Sequence, residues 1–276
     1  MIKISTFNVN SVKARLPNLL VWLQQTNPDI VCLQELKCLD FPVEPFEDLG
    51  YNLAINPQKT YNGVAILSKY KINEIVCLDL DYSINSALPS DFAVSQARYI
   101  EVLLSIKQYV LRVASVYVPN GGADLSAGQH FSDHDKFIYK LEFLQRLHKH
   151  WQKNIKYSDE LQILGGDFNV ACHDIDIHNP EKSDQLLFSP QERQYLNNIL
   201  NLPLLDCYRL INGSKQQFSW WHYQAGAFAK NLGARIDYLL CSSFTADYIT
   251  DCYHESALRS QNKPSDHCPV TLELNI

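Results

Sequence analysis

An Asp and an Asn two residues apart close the run Ile163-Leu164-Gly165-Gly166-Asp167-Phe168-Asn169-Val170. The apolar residues read as a buried strand, and the two glycines permit close backbone approach where it ends. In extended backbone, side chains two apart face the same way. The carboxylate of Asp167 and the carboxamide of Asn169 could therefore orient a water, a metal ion or a phosphate together. The ordinary alternative is an Asp/Asn turn that only caps a strand. What separates the two readings is repetition. Asn8 follows the alternating run from Lys3, Glu35 follows Asp29–Leu33, and Tyr117 and Asn120 close a run from Tyr109 to Val118. Asp237 lies within Arg235–Leu240, and Asp266-His267 precede the final apolar run Val270–Leu274. If these strand ends converge, four carboxylates share one pocket, and their repulsion must be relieved by protonation or a cation. Oxygen ligands without Cys and with few His favour a hard cation such as Mg²⁺ or Mn²⁺. A hard cation, an Asp–His pair, amides and a Tyr suit phosphate-ester hydrolysis: charge on phosphorus is neutralised, a carboxylate takes the proton from water, and donors hold the non-bridging oxygens.

The elements that must position these groups alternate between strand and helix throughout. Leu16, Leu19, Leu20 and Leu23 have helical spacing, with Pro17 suited to a first turn. Residues 51–56, 62–68 and 72–78 read as short strands, with Asn62-Gly63 as turn chemistry. Arg98–Ile106 and Tyr109–Val118 form an expected hairpin around Lys107-Gln108, followed by a Gly/Ala/Ser-rich loop over 121–130. The longest expected helix is Phe137–Ile155, with Phe137, Leu141, Leu144, His148, Trp151 and Ile155 on one stripe. Its vicinity carries Lys136, Lys140, Arg146, Lys149, Lys153 and Lys156, either a solvated face or one that tracks phosphates. Ser189-Pro190 is a helix start, Ser as N-cap and Pro at the first position. Phe218–Trp221 is strand-like, with Phe218 and Trp220 expected on one face, and 222–233 is a Gly/Ala loop.

The chain has 276 residues, 46% hydrophobic and 20% charged, ordinary values for a globular protein. There are no repeats, linkers or low-complexity segments. No window approaches the length of an uninterrupted apolar membrane span, and the N-terminus lacks the pattern of a signal peptide. The eight cysteines are scattered without a C-x-x-C pair, as expected for reduced thiols in a cytoplasmic protein rather than a disulfide or zinc scaffold. The net charge of −6 argues against non-specific nucleic-acid binding, though not against a local basic surface beside an acidic metal centre.

F-N-V-N-S (7–11), P-D-I-V-C-L-Q-E-L-K (28–37), G-D-F-N (166–169) and P-S-D-H (264–267) resemble the endonuclease/exonuclease/phosphatase superfamily. More specifically, D-C-Y-R…F-S-W-W (206–221) and N-L-G-A-R-I-D-Y-L-L-C-S (231–242) resemble its exonuclease III family of abasic-site (AP) endonucleases. The resemblance spans nearly the whole chain. It implies an α/β fold, a four-layer sandwich of two packed, mainly antiparallel or mixed β-sheets flanked by helices, in one catalytic domain over 1–276. It implies a metal-dependent DNA phosphodiesterase of base-excision repair, cutting 5′ to abasic sites and removing 3′ nucleotides or blocking groups. The expected cofactor is Mg²⁺ or Mn²⁺. The expected partner of a monomeric, cytoplasmic protein, nucleoid-associated when acting and away from membranes, is duplex DNA with abasic sites or 3′ ends.

Residue by residue, the resemblance assigns Glu35 to the metal, with Asn10, Asp167, Asn169, Asp266 and His267 around it. Asp167 becomes the base or positioner of the attacking water, with Asn169 holding that water or the phosphate. His267, oriented by Asp237, donates to the scissile phosphate, and Tyr117, Asn8 and Asn120 bind phosphate oxygens. Arg98 and Lys136 match positions near DNA. Trp220 matches the wall of the abasic-sugar pocket, which Ala234 and Arg235 approach from the next strand. Leu36 stands where the family commonly has Thr, Cys207 where it has Ser or Thr, and Asn10 where some relatives have Asp. Residues 121–135 look longer than in compact bacterial members, so loop contacts to DNA do not carry over. Two other readings stay open: a superfamily phosphoesterase acting on RNA, inositol phosphates or phospholipids, and a silent binding module with the same fold.

Overall fold

The computed structural model describes residues 1–78, 96–122, 130–155 and 159–276. One six-stranded sheet runs, in spatial order, β13 (Ile249–His254), β14 (Val270–Leu274), β1 (Ile2–Asn8), β2 (Ile30–Gln34), β4 (Val64–Ser68) and β3 (Asn52–Asn56). The other runs β5 (Ile72–Val76), β6 (Tyr99–Ile106), β7 (Tyr109–Tyr117), β8 (Glu160–Asp167), β12 (Asp237–Ser242) and β9 (Leu204–Asp206). Each sheet is mixed, with a parallel pair at its heart, β1 beside β2 and β7 beside β8. A two-residue ribbon joins β10 (Trp220–Trp221) to β11 (Gly233–Ala234).

The period-2 alternation of these strands builds the layers. Ile4, Ile30, Cys32, Ile66, Val102, Val113, Ile163 and Leu239 face the opposite sheet in one shared core. Their alternate neighbours, Val31, Leu33, Ala65 and Leu67, turn outward to meet Val12, Leu19, Trp22 and Leu23 of α1 (Val12–Thr26) and Phe46 of α2 (Glu44–Glu47). On the far side, Ala114, Val116, Leu164, Tyr238 and Leu240 pack under α3 (Asp135–Asn154) and α4 (Pro190–Leu200). Fully burying each such aliphatic side chain contributes about 1.5–3 kcal/mol. The four-layer sandwich expected from the sequence is thus the observed one. Two short helices, α5 (Cys207–Asn212) and α6 (Ser243–Ala246), follow β9 and β12. All eight cysteines are free, and only Cys77 is exposed. No helix among the described residues is long and apolar enough to cross a membrane.

Several expectations need correction. Helix α3 starts two residues early, and its buried side is Phe137, Tyr139, Lys140, Phe143, Leu144, Leu147 and Trp151. Leu141, His148 and Ile155 are only half-buried, because α3 packs on both the sheet and α4 and so buries a broader arc than one stripe. Lys140 leaves the basic face altogether: it is fully buried and ion-paired with Glu192 of α4. Ser189 caps α4 in a reciprocal capping box with that same Glu192. Lys156, and residues 123–129 of the loop expected over 121–130, lie outside the described residues. Strands β9 and β13 and helix α5 carried no clear sequence signal; β9 is three residues long and β13 alternates weakly.

Candidate active site

The polar groups singled out in the sequence lie on one extension of the inter-sheet core. Along β1 the inward face reads Ile2, Ile4, Thr6, Asn8, and along β8 it reads Leu161, Ile163, Gly165, Asp167. Each face is apolar in the middle of the sandwich and turns polar at the same rim. One residue short of that rim, Gln34 donates to Ser115 Oγ at 3.0 Å, and its amide also bonds Thr6 Oγ1, so the two sheets are tied together just beneath the site. Register does the rest. Asp167 pairs with Tyr117 of β7 on one side and with Asp237 of β12 on the other. Asn8 pairs with Gln34, so Glu35, the next residue, leaves β2 beside it. Contact distances require the glycine at 166 and disfavour a side chain at 165. A Cβ on Gly166 would lie 2.0 Å from the Val116 carbonyl oxygen, and one on Gly165 would lie 2.8 Å from Leu239 Cδ2. Glu35, Lys37 and Asn169 all have positive φ, a conformation that costs non-glycine residues energy and here turns side chains back toward the rim.

Asn8 bridges two carboxylates, its amide nitrogen donating to Glu35 Oε1 at 2.8 Å and to Asp167 Oδ2 at 2.9 Å. Asp167 also accepts from the Asn169 backbone N–H at 2.9 Å and the Asn169 amide at 3.2 Å. His267 Nδ1 lies 2.8 Å from Asp237 Oδ2, while its Nε2 faces Asp167 Oδ2 at 3.8 Å. The hydrogen bond to Asp237 fixes the ring and leaves Nε2 as the working nitrogen. The Tyr117 hydroxyl lies in the field of Glu35, with the Arg98 guanidinium 4.8 Å above its ring. Asp266 accepts from Asn10 Nδ2 at 2.9 Å and from the Trp220 indole N–H at 3.0 Å.

Burial and charge set the electrostatics. Burial, with Asp237 and Glu35 close by, pushes Asp167 up to about 8 against the opposing pull of His267. Burial alone would lower His267, but Asp237, Asp167 and Asp266 outweigh it and raise it to about 10. Asp266 is half-buried, yet His267 and the Asn10 and Trp220 hydrogen bonds hold it below the usual carboxylate range. Tyr117 is driven well up by burial and the neighbouring carboxylates, so it stays a neutral donor.

One ligand atom each from Glu35, Asp167 and His267 lies within 4.8 Å of the others. Asp237 Oδ1 is buried without a hydrogen-bond partner among the described residues. A carboxylate pair joined by one amide, in a pocket that raises the carboxyl pKa, is undercompensated negative charge. That donor set fits a hard divalent cation.

Of the outer residues, Arg98, Lys136, Asn120 and Tyr117 line one cavity of about 560 Å³, joined by Tyr61, Gln58 and Gln96. Arg98 is anchored by Gln96 Oε1 at 2.7 Å and the Tyr117 carbonyl at 3.2 Å. Arg235 is elsewhere. It is fully buried and paired with Asp176 at 2.7 Å and Asp206 at 2.8 Å, so its guanidinium faces the interior and not a sugar pocket. Arg235→Ala leaves Asp206 without its ion-pair partner and Asp176 with Arg209 alone, and is expected to cost about 3–5 kcal/mol of stability, read by denaturant unfolding. An unchanged unfolding midpoint with weakened DNA binding would return Arg235 to the interface. Phe218 and Trp220 do not share a face, because the chain bends at Ser219. Phe218 packs on Trp221, whereas half-buried Trp220 sits against Ala171, Ile177, Phe188, Ala234 and Ile236. Leu36 and Cys207 are core residues of the outer and inter-sheet layers.

Three supporting residues have roles that sequence reasoning did not assign. Lys140 Nζ donates to the Asn169 carbonyl at 2.6 Å and the Asn120 carbonyl at 3.3 Å, tying both loops to α3. Ser219 Oγ accepts from the backbone N–H groups of Ile236 and Asp237, at 3.0 and 3.1 Å. Lys37 Nζ lies 2.6 Å from Glu35 Oε2. Of the three, Lys37 was already expected with Glu35 at one strand end, two residues beyond it.

A mixed-sheet sandwich with acids, amides and a His–Asp pair at one rim defines a class of metal-dependent phosphoesterases. The sequence profile described as "Endonuclease/Exonuclease/phosphatase family" matches residues 5–267, and the chain belongs to that family. Within it, the chain is 30% identical to exodeoxyribonuclease III of Haemophilus influenzae over 98% of this chain and 99% of that protein. Among solved structures, an AP endonuclease from Archaeoglobus fulgidus matches with a TM-score of 0.85 and 31% identity, covering 100% of both chains. The 3′ phosphatase NExo from Neisseria, solved with a product DNA hairpin, matches at 0.87 and 33%, also over 100% of both.

Proposed function

We propose that this chain is a divalent-metal-dependent DNA phosphodiesterase of base-excision repair, cutting 5′ to abasic sites and clearing 3′ ends of duplex DNA. The observation that carries this reading is the packing of Glu35, Asp167 and the His267–Asp237 pair at one rim, with Asn8 bridging the two carboxylates. The full-length similarity to an exodeoxyribonuclease III and the DNA-bound Neisseria neighbour support DNA as the substrate.

In this reading Glu35 holds Mg²⁺ or Mn²⁺, with Asn10, Asp167, Asn169, Asp266 and His267 grouped around the site. When bound, the cation supplies charge neutralisation on the phosphate. Asp167 takes the proton of the attacking water; a carboxylate raised toward neutrality is better matched to that task than an ordinary Asp. Asn169 orients the water or a phosphate oxygen. His267, kept protonated by its carboxylate neighbours, donates from Nε2 to the phosphate, and Asp237 fixes its ring. Neutral Tyr117, with Asn8 and Asn120, donates to non-bridging oxygens. Arg98 and Lys136, across the cavity beside Tyr117, meet the backbone of the duplex. Trp220 lines the side where a base-free sugar enters, since an abasic nucleotide turns out of the helix at lower cost than a paired one. The protein acts as a monomer, as one domain over 1–276.

The deciding experiment is Mg²⁺-dependent digestion of a duplex with one abasic site, beside undamaged duplex, single-stranded RNA and an inositol polyphosphate. Preferential nicking at the abasic site is the expected result; turnover of RNA or inositol phosphate alone overturns it. Glu35→Ala should raise the Mg²⁺ concentration for half-maximal rate, because a direct carboxylate ligand is lost. An unchanged metal titration in that variant would remove Glu35 from the metal.

A further inference from the structure

A line of hydrogen bonds runs from the indole of Trp220 to the carboxylate of Glu35. Trp220 Nε1 donates to Asp266 Oδ2 at 3.0 Å, and Asp266 Oδ1 accepts from Asn10 Nδ2 at 2.9 Å. Asn10 Oδ1 then accepts from Lys37 Nζ at 2.6 Å, and the same ammonium lies 2.6 Å from Glu35 Oε2. Each link constrains the next. The Asn10 amide has an ammonium on its oxygen side and a carboxylate on its nitrogen side, so only one orientation satisfies both. Its backbone is held as well: φ is 45°, and its N–H donates to Asn8 Oδ1 at 3.0 Å. Lys37, also at positive φ, is fixed by its N–H to the Asn62 carbonyl at 2.9 Å. The Trp220 strand bears on the catalytic pair too: Trp220 bridges His267 through backbone, and Ser219 holds the start of β12 at Asp237.

We propose that Trp220 is a positioning residue, whose indole N–H sets the poise of the metal-binding carboxylate Glu35 through Asp266, Asn10 and Lys37. The inference rests on the reading of Glu35 as a metal ligand. Lys37 is the hinge of the argument. Its ammonium competes with a cation for Glu35, and Asn10 draws off part of that ammonium's hydrogen bonding. Without the indole donor, Asp266 loses one of its two side-chain donors and its hold on Asn10 loosens. Lys37 then closes on Glu35 alone, and a divalent cation has a stronger competitor to displace. Pocket wall and metal ligand are thereby coupled, so a sugar that shifts the indole changes how Glu35 presents itself to the ion. The arrangement also gives a physical role to Asn at position 10. An Asp there would set a second carboxylate against Asp266 where the amide now donates.

Trp220→Phe separates the two roles of this side chain, because it keeps a flat ring for the pocket and removes the N–H. The readout is Mn²⁺ binding to the free protein by calorimetry, which needs no turnover, with the rate on abasic duplex at limiting and saturating Mg²⁺ beside it. Removing a group that supports a metal ligand from behind commonly costs tenfold or more in affinity. The Phe variant should therefore bind Mn²⁺ about tenfold more weakly. Its rate relative to wild type should be lower at limiting than at saturating Mg²⁺. Asn10→Ala, which cuts the same line one link nearer Glu35, should shift Mn²⁺ binding in the same direction with Trp220 untouched. Mn²⁺ affinity within twofold of wild type in Trp220→Phe, whatever Asn10→Ala does and with folding intact by thermal melting, overturns the proposal. If wild type binds Mn²⁺ but cleaves no DNA, the repair assignment fails while the binding shifts still decide the coupling.

Discussion

Asp167→Asn is expected to reduce cleavage of an abasic duplex by about 10²–10⁴-fold, the range for loss of a general base. The substitution is isosteric, and the residue is 1% exposed, so the change is almost purely one of charge and proton affinity. Asp167 is squeezed between Asp237 and Glu35, and burial already raises its pKa to about 8. Both Asp167 oxygens accept hydrogen bonds, so the Asn amide sets an NH2 against one donor, a change that should leave the melting temperature close to the wild-type value. The pair of measurements is therefore diagnostic: a stable fold with a collapsed rate. Activity within threefold of wild type would remove Asp167 from the base role, and a large fall in melting temperature would assign it to the fold instead. The effect should persist at saturating metal, which distinguishes it from Glu35→Ala.

His267→Ala should be comparably damaging, about 10²–10⁴-fold, because it deletes the protonated donor facing Asp167 and the phosphate site. Asp237→Ala should cost less alone. It leaves the imidazole in place but frees its ring, removing the bond that fixes Nδ1 and the largest charge that keeps the ring protonated. Since Asp237 acts through His267, the double alanine variant should be little worse than His267→Ala. Losses that multiply in full would show that the two residues work separately. Rates of the four proteins on one duplex at one pH close the cycle.

Polar residues at strand ends were legible because strand alternation is local. Once Lys3–Val9, Asp29–Leu33 and Leu161–Leu164 read as strands, the identities of Asn8, Glu35 and Asp167 followed from position alone. The close approach demanded by Gly165 and Gly166 was also readable, as was the Ser189 cap. These features depend on bonds between residues a few positions apart, which sequence encodes directly. The pairing that brings Asn8 to Asp167 spans 159 positions, and composition and periodicity did not supply it; the family resemblance did.

What remained hidden was set by partners from elsewhere in the chain. Arg235, expected beside a sugar pocket, is buried because Asp176 and Asp206 meet it from two other elements, and a guanidinium's burial depends on such partners rather than on its own neighbours. Lys140 looked like one more cation of a basic face until Glu192 of α4 enclosed it. Phe218 and Trp220 looked coplanar because alternation was extended through Ser219, where the chain bends to serve Asp237. The sequence by itself determined the long core strands, the chemistry at their ends and the family. Tertiary structure alone decided which charges are buried, which way the aromatic rings face, and how Trp220 reaches Glu35, because each of these is fixed by contacts between segments that local pattern leaves independent.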